Sequence, residues 1–125
     1  MKIYIYAESD DIEEIAEPMS EAIARWVKQS DDAATLVNDR HQPGEDETGE
    51  AFWNLGINLE AKRRSDLKKA LQFLYSQATE HKCEFVVGIA ASNKGPAQDI
   101  CFFGYEEGRP DAYEIANYMG FRVEL

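Results

Sequence analysis

A chain of 125 residues with 44% apolar and 11% aromatic content has the size and composition of one globular domain, able to bury a core without a disulfide or metal staple. No apolar run reaches the length of a membrane span. The opening residues alternate like a strand and lack the long apolar stretch and cleavage site of a secretory signal, so the cytoplasm is the expected compartment. The formal net charge of −11 repels phosphate backbones and anionic lipid, which sets nucleic acid and membranes aside and points to a basic protein partner.

That charge is uneven. Residues 1–50 hold 14 Asp or Glu against 4 Lys or Arg, a net of −10, and residues 51–125 hold 10 against 9, a net of −1. No repeat, low-complexity tract or linker divides the chain, so residues 1–125 form a single domain. Ile3 and Ile5 alternate with Tyr4 and Tyr6 over residues 2–7, a strand apolar or amphipathic on both faces and therefore inside a sheet. Ser9 or Asp10 can cap the helix that follows. Its apolar stripe is Ile12, Ile15, Ala16, Met19, Ala22, Ile23, Trp26 and Val27, and Pro18 predicts a kink or fresh start near Glu17.

Residues 34–39 read as a short strand. Residues 40–50, "RHQPGEDETGE", read as a loop, and Trp53, Leu55, Ile57 and Leu59 as the buried face of a strand that pairs back in a long-looped hairpin. Ser65 caps a second helix, with Leu67, Leu71, Leu74, Tyr75 and Ala78 facing inward. Residues 84–91 suggest a central strand, Asn93 to Pro96 a turn and residues 100–105 a strand. A short third helix and a terminal strand carrying Phe121, Val123 and Leu125 follow. The order β-α-β-β-α-β-β-α-β, whose first six elements match the ferredoxin-like split unit, predicts an α+β fold with a mixed, mostly antiparallel sheet and three helices.

Several stretches could carry function. Asp111 and Glu114 have capping-box spacing, Pro110 fixes the approach to the helix and Gly120 is placed to end it, so these residues have structural work. Glu106 and Glu107, with Arg109 after them, have none by this logic and are candidate partner contacts, against the plainer reading of a solvated turn. Glu45, Asp46, Glu47 and Glu50 are a second candidate contact surface. Their spacing lacks the order of a calcium loop, so no metal is expected there. "KRRSDLKK", residues 62–69, concentrates Lys62, Arg63, Arg64, Lys68 and Lys69 at a helix start, where they oppose the dipole. A phosphate ligand would explain them, but neutralisation of nearby acids is favoured in so acidic a chain.

No catalytic constellation stands out. His41 and His81 lie apart, Ser92 lacks a G-x-S-x-G elbow, and Cys83 and Cys101 have no neighbouring His, so they read as reduced buried thiols and the protein as a non-enzyme without cofactor. "GIAASNKGP" lacks the order of a phosphate loop and reads as a hairpin turn.

"FWNLGINLEAKRRSDLKKALQFLY" and "DICFFGYEEGRPDAYEIANYMGF", with the size and acidity of the chain, resemble the small immunity proteins of bacterial toxin systems, of the contact-dependent growth inhibition type. The likeness covers the later two-thirds and is one of type. These families share no diagnostic motif, so it assigns no residue a role. It implies a cytoplasmic, non-catalytic protein that binds a cognate toxin domain, often a basic nuclease, and masks its active site; a monomer is expected. The alternative is a small regulatory or ligand-sensing α+β domain with a pocket near Trp53, Tyr105 and Tyr113.

Overall fold

Alternating side chains along Lys2–Glu8 build the strand on which the domain is organised, β1, with Ile3, Ile5 and Ala7 buried on one face. The computed structural model describes residues 2–30, 33–41, 44, 52–90 and 97–118. After β1 come α1 (Ile12–Val27), β2 (Ala34–His41), β3 (Phe52–Glu60), α2 (Arg64–His81), β4 (Glu84–Ile89), β5 (Gln98–Gly104) and α3 (Ala112–Tyr118). The strands form one five-stranded sheet in the order β2-β3-β1-β4-β5. The fold is α+β, and its first six elements wind as the ferredoxin-like split unit, with β5 added outside β4.

Every described pairing is antiparallel, where a partly mixed sheet was expected. The reason is topological: β1 and β2 run parallel, but β3 inserts between them, so no parallel strands become neighbours. The central strand is β1, and β4 lies one place in from the edge. The β2–β3 hairpin forms as expected and is longer, since β2 continues through Arg40 and His41 to pair with Trp53 and Phe52. The expected loop therefore begins after His41. The expected terminal strand and Gly120 lie outside the described residues.

All three helices pack on one face, where Ile3, Ile5, Leu55, Ile57, Leu59, Phe85, Val87 and Phe103 meet Met19 and Ile23 of α1 and Leu67, Leu71 and Leu74 of α2. Trp26 and Phe73 stack with ring centroids 4.9 Å apart and join the two long helices. Pro18 neither kinks the chain into two helices nor restarts it, and α1 is continuous over 16 residues. Glu14 and Pro18 are both exposed, so water can serve the Glu14 carbonyl that the proline leaves without a donor.

The helix caps also differ from expectation. Asp11, not Ser9 or Asp10, occupies the N-cap of α1, and the Ser9 hydroxyl instead accepts the Asp11 N–H at 3.1 Å. Ser65 is the second residue of α2. The start of that helix is held by the Asp66 carboxylate, which accepts the backbone N–H groups of Lys62 and Arg63, each at 3.1 Å. No helix among the described residues is long and apolar enough to cross a membrane.

Candidate functional site

With the helices on one face, the other face of the sheet is left open by the described residues, and the strand register determines what it displays. Val37 on β2, Gly56 on β3, Tyr6 on β1, Val86 on β4 and Phe102 on β5 are consecutive partners and form one transverse row. Below it run Thr35, Asn58, Tyr4, Gly88 and Asp99. Above it Asp39 faces Asn54, and Glu8 faces Glu84. Beyond them Phe52 stacks on His41 with centroids 5.3 Å apart. Phe102, at one end of the row, is 52% exposed and Phe52, at the far end of the β2–β3 hairpin, 45%, so both offer apolar surface.

The glycines shape this face. Gly88 has no side chain, so the Tyr4 ring lies across β4 and its hydroxyl donates to Asp99 on β5. A bulge at Val87 and Gly88 sets Asp99 opposite Gly88, putting the carboxylate within Tyr4's reach. Tyr6 stacks beside Tyr4 at 5.1 Å and donates to Asn58 Oδ1 at 2.8 Å. Burial, then the bond to Asp99, pushes the Tyr4 hydroxyl well above the ordinary phenol range. Burial, then the charge of Asp39, pushes Tyr6 the same way. Both rings are thus held as neutral phenols between strands. Carboxylates flank the row as Asp39, Glu8 and Glu84 on one side and Asp99 on the other, and Lys2 is the only Lys or Arg that alternation places on this face among the described strands.

The acidic turn after β5 belongs to the Glu8 and Glu84 end of this face. Gly104 and Gly108 exchange backbone hydrogen bonds of 3.0 and 2.8 Å, and Gly108 takes the positive φ of 93° that the closure requires. Glu84 Oε1 accepts the Glu106 N–H at 2.6 Å and Oε2 the Glu107 N–H at 3.4 Å. The side chains of Glu106 and Glu107 are exposed, adding two carboxylates beside the row. Glu84 was not legible as the turn's organiser, because the pairing that brings it there spans more than 20 residues. At α3, Asp111 Oδ1 accepts the Glu114 N–H at 3.0 Å, which is the expected cap. Glu45, Asp46, Glu47 and Glu50 lie outside the described residues.

Arg109 does not join Glu106 and Glu107. Its guanidinium rests 5.7 Å from the Tyr75 ring centroid, against α2. The basic cluster divides around α2: Lys62, Arg63 and Lys69 line a cavity beside Trp26 and Phe73, whereas Arg64 and Lys68 line a cleft shared with Arg109 and Tyr113. None of the five cluster cations forms an ion pair among the described residues; Asp31 and Asp32, next in sequence to the cavity-lining Ser30 and Ala33, lie outside them. The single ion pair there joins Arg40 and Glu13 at 3.8 Å across exposed surface. Trp53, Tyr105 and Tyr113 do not share a pocket: Trp53 donates to Asn38 at 2.6 Å at the β2–β3 edge, Tyr105 follows β5 across the sheet, and Tyr113 lies in the α2–α3 cleft.

Cys83 and Cys101 are free thiols. Burial, then Glu84, pushes Cys83 up to about 11, and burial, then Glu114, raises Cys101, so neither is a ready thiolate at neutral pH. No group of three or more metal-ligating side chains occurs among the described residues. Compared with family models, curated proteins and solved structures, the chain matches none.

Proposed function

We propose that this protein is a non-catalytic binding protein that uses the open face of its sheet to engage a basic protein domain, and that the partner is a toxin domain whose active site it masks. The observation that carries this is the transverse row in which Val37, Tyr6 and Phe102 offer apolar surface, with Val86 buried between the last two, flanked by lines of carboxylates. Apolar surface at the centre of a contact supplies affinity, and charge around it speeds encounter and selects the sign of the partner. A nuclease presents cations where it binds phosphate, and Asp39, Asp99, Glu8, Glu106 and Glu107 present oxygens to such a surface. Nucleic acid suits this face poorly: aromatic rings on an open sheet can stack bases, but a single lysine does not offset so many carboxylates.

The test uses the product of the reading frame immediately upstream of this one in its native locus, expressed as a purified domain and as an inducible growth inhibitor. A stoichiometric complex and restored growth are expected, both lost with Phe102→Asp and Tyr6→Asp. Absence of a complex overturns the proposal. A complex indifferent to both substitutions moves the interface off this face.

A further inference from the structure

Two arginines line the cleft between α2 and the segment leading into α3, each set against an aromatic ring of the opposite element. Arg64, from α2, lies 4.7 Å from the centroid of Tyr113 on α3, and Arg109, from the approach to α3, lies 5.7 Å from the centroid of Tyr75 on α2. Ring contacts hold a guanidinium by its face and leave its N–H edge free. Neither arginine has a hydrogen bond or ion pair among the described residues, so both forks are unspent. Lys68, Ser65 and Gln72 add donors to the same cleft, which encloses about 760 Å³ over Leu71 and Pro110.

Like charges gathered in one cleft repel, and among the described residues no acid is paired with these. The cleft's one carboxylate among the described residues, Asp111, is turned to the Glu114 N–H. Three cations against that carboxylate leave a formal charge of +2 (3 − 1). We propose that the α2–α3 cleft binds a small molecule carrying a phosphate monoester, whose charge of about −1.5 to −2 at neutral pH matches that balance better than a carboxylate does. The two guanidinium forks and Lys68 take the phosphate, Tyr113, Leu71 and Pro110 contact the organic part, and the volume is that of a small-ligand site. The cleft lies on the helix side of the sheet, so this assignment is independent of the proposed use of the open face.

The test is an NMR titration of the ¹⁵N-labelled full chain with phenyl phosphate, inorganic phosphate and benzoate at matched ionic strength. Saturable shifts are expected at Ser65, Lys68 and Tyr113 with phenyl phosphate, which binds more tightly than the other two. Arg64→Gln and Arg109→Gln should each weaken it about tenfold or more, the scale of a lost charge-assisted fork. Lys69→Gln, which faces the other cavity, should leave binding unchanged. Lys68→Gln serves in place of either arginine variant if that variant unfolds. Equal binding of inorganic phosphate would show that the cleft takes the bare ion, and equal binding of benzoate would remove the charge argument; either overturns the assignment. Tighter binding of a phosphotyrosine peptide than of phenyl phosphate would replace the small molecule by a modified protein. Shifts that do not saturate, or that lie elsewhere, dispose of the site.

Discussion

Gly56→Ala should be among the most damaging single-methyl additions in this protein. Gly56 sits on β3 opposite Tyr6 of the central strand, and a Cβ built there would overlap the Ile5 carbonyl oxygen, with the Ile5 carbonyl carbon at 2.9 Å and the Tyr6 Cα at 3.0 Å. All three atoms are backbone, so no rotamer change relieves the overlap and β1 and β3 must part locally. Overpacking of this kind costs about 1–3 kcal/mol, and one or two lost ladder bonds add about 1 kcal/mol each, giving roughly 3 kcal/mol in total. For a domain of this length that is a fall of roughly 10 °C in Tm. Gly88→Ala meets the end of the movable Tyr4 side chain and the Gln98 carbonyl oxygen at 2.6 Å, so it should cost less, about 1–3 kcal/mol, and release the Tyr4 hydroxyl from Asp99. Gly44→Ala, with nothing within 4 Å, is the control and should stay within ~0.5 kcal/mol. Urea unfolding of the three variants gives the order from the midpoints at constant m. A Gly56→Ala loss below ~1 kcal/mol, or one smaller than that of Gly88→Ala, would refute the close approach of β1 and β3.

Stability should fall as pH rises above 9. The Cys83 thiol is protonated in both states below its ordinary value of 9.0 and titrates near 11 only when folded, so between those values the unfolded chain sheds its proton first. The loss reaches roughly 2–3 kcal/mol, and Tyr4, Tyr6 and Cys101, all raised, act in the same direction. Urea midpoints that do not move from pH 8 to 10.5, or that fall as steeply in Cys83→Ala, would contradict this. Asp111→Ala should cost about 0.5–2 kcal/mol as a lost cap, while Glu106→Ala and Glu107→Ala, which keep their N–H bonds to Glu84, should each change stability by less than ~0.5 kcal/mol. Glu84→Ala should cost more than either; thermal melts that reverse this order would separate the turn from Glu84. If the partner is the proposed toxin domain, stopped-flow association should slow by about tenfold or more when Glu45, Asp46 and Glu47 are reversed to Lys, with dissociation less affected. An unchanged rate would leave that acidic stretch a solvated coat.

Elements with a strong local period were legible in the sequence: β1, β3, both long helices and the Asp111 cap all follow from spacing within one segment. What was not legible depends on register. Tyr4 and Tyr6 read as part of a strand inside the sheet, which β1 is, but a strand in the middle of a sheet can still present one side away from the helices if every helix packs on the other. The row from Val37 to Phe102 joins residues from five strands, and no pattern within any one of them shows that their offsets coincide. At Pro18 a local rule predicted a kink or a fresh start, and the fresh start does not occur: the helix runs on, with the Glu14 carbonyl that the proline leaves without a donor on exposed surface.

A sum of charge over the chain discards position. The five cations of residues 62–69 read as an offset to a large acidic excess, and among the described residues none of them forms an ion pair. Lys62 and Arg63 precede α2 and line one cavity with Lys69, whereas Arg64 and Lys68, on the helix itself, line another. Asp66, the one acid inside the run, is occupied by two backbone N–H groups. Arg109, taken by adjacency as a companion of Glu106 and Glu107, is carried by the Gly108 turn to the helix side of the sheet, where it faces Tyr75. Acidic residues thus dominate the open face and cationic ones the α2–α3 cleft, with the core between them. A charge reversal on one surface should therefore be felt by ligands of that surface far more than by those of the other, because salt screens exposed charges over a Debye length of about 8 Å and the sheet with its core stands between the two.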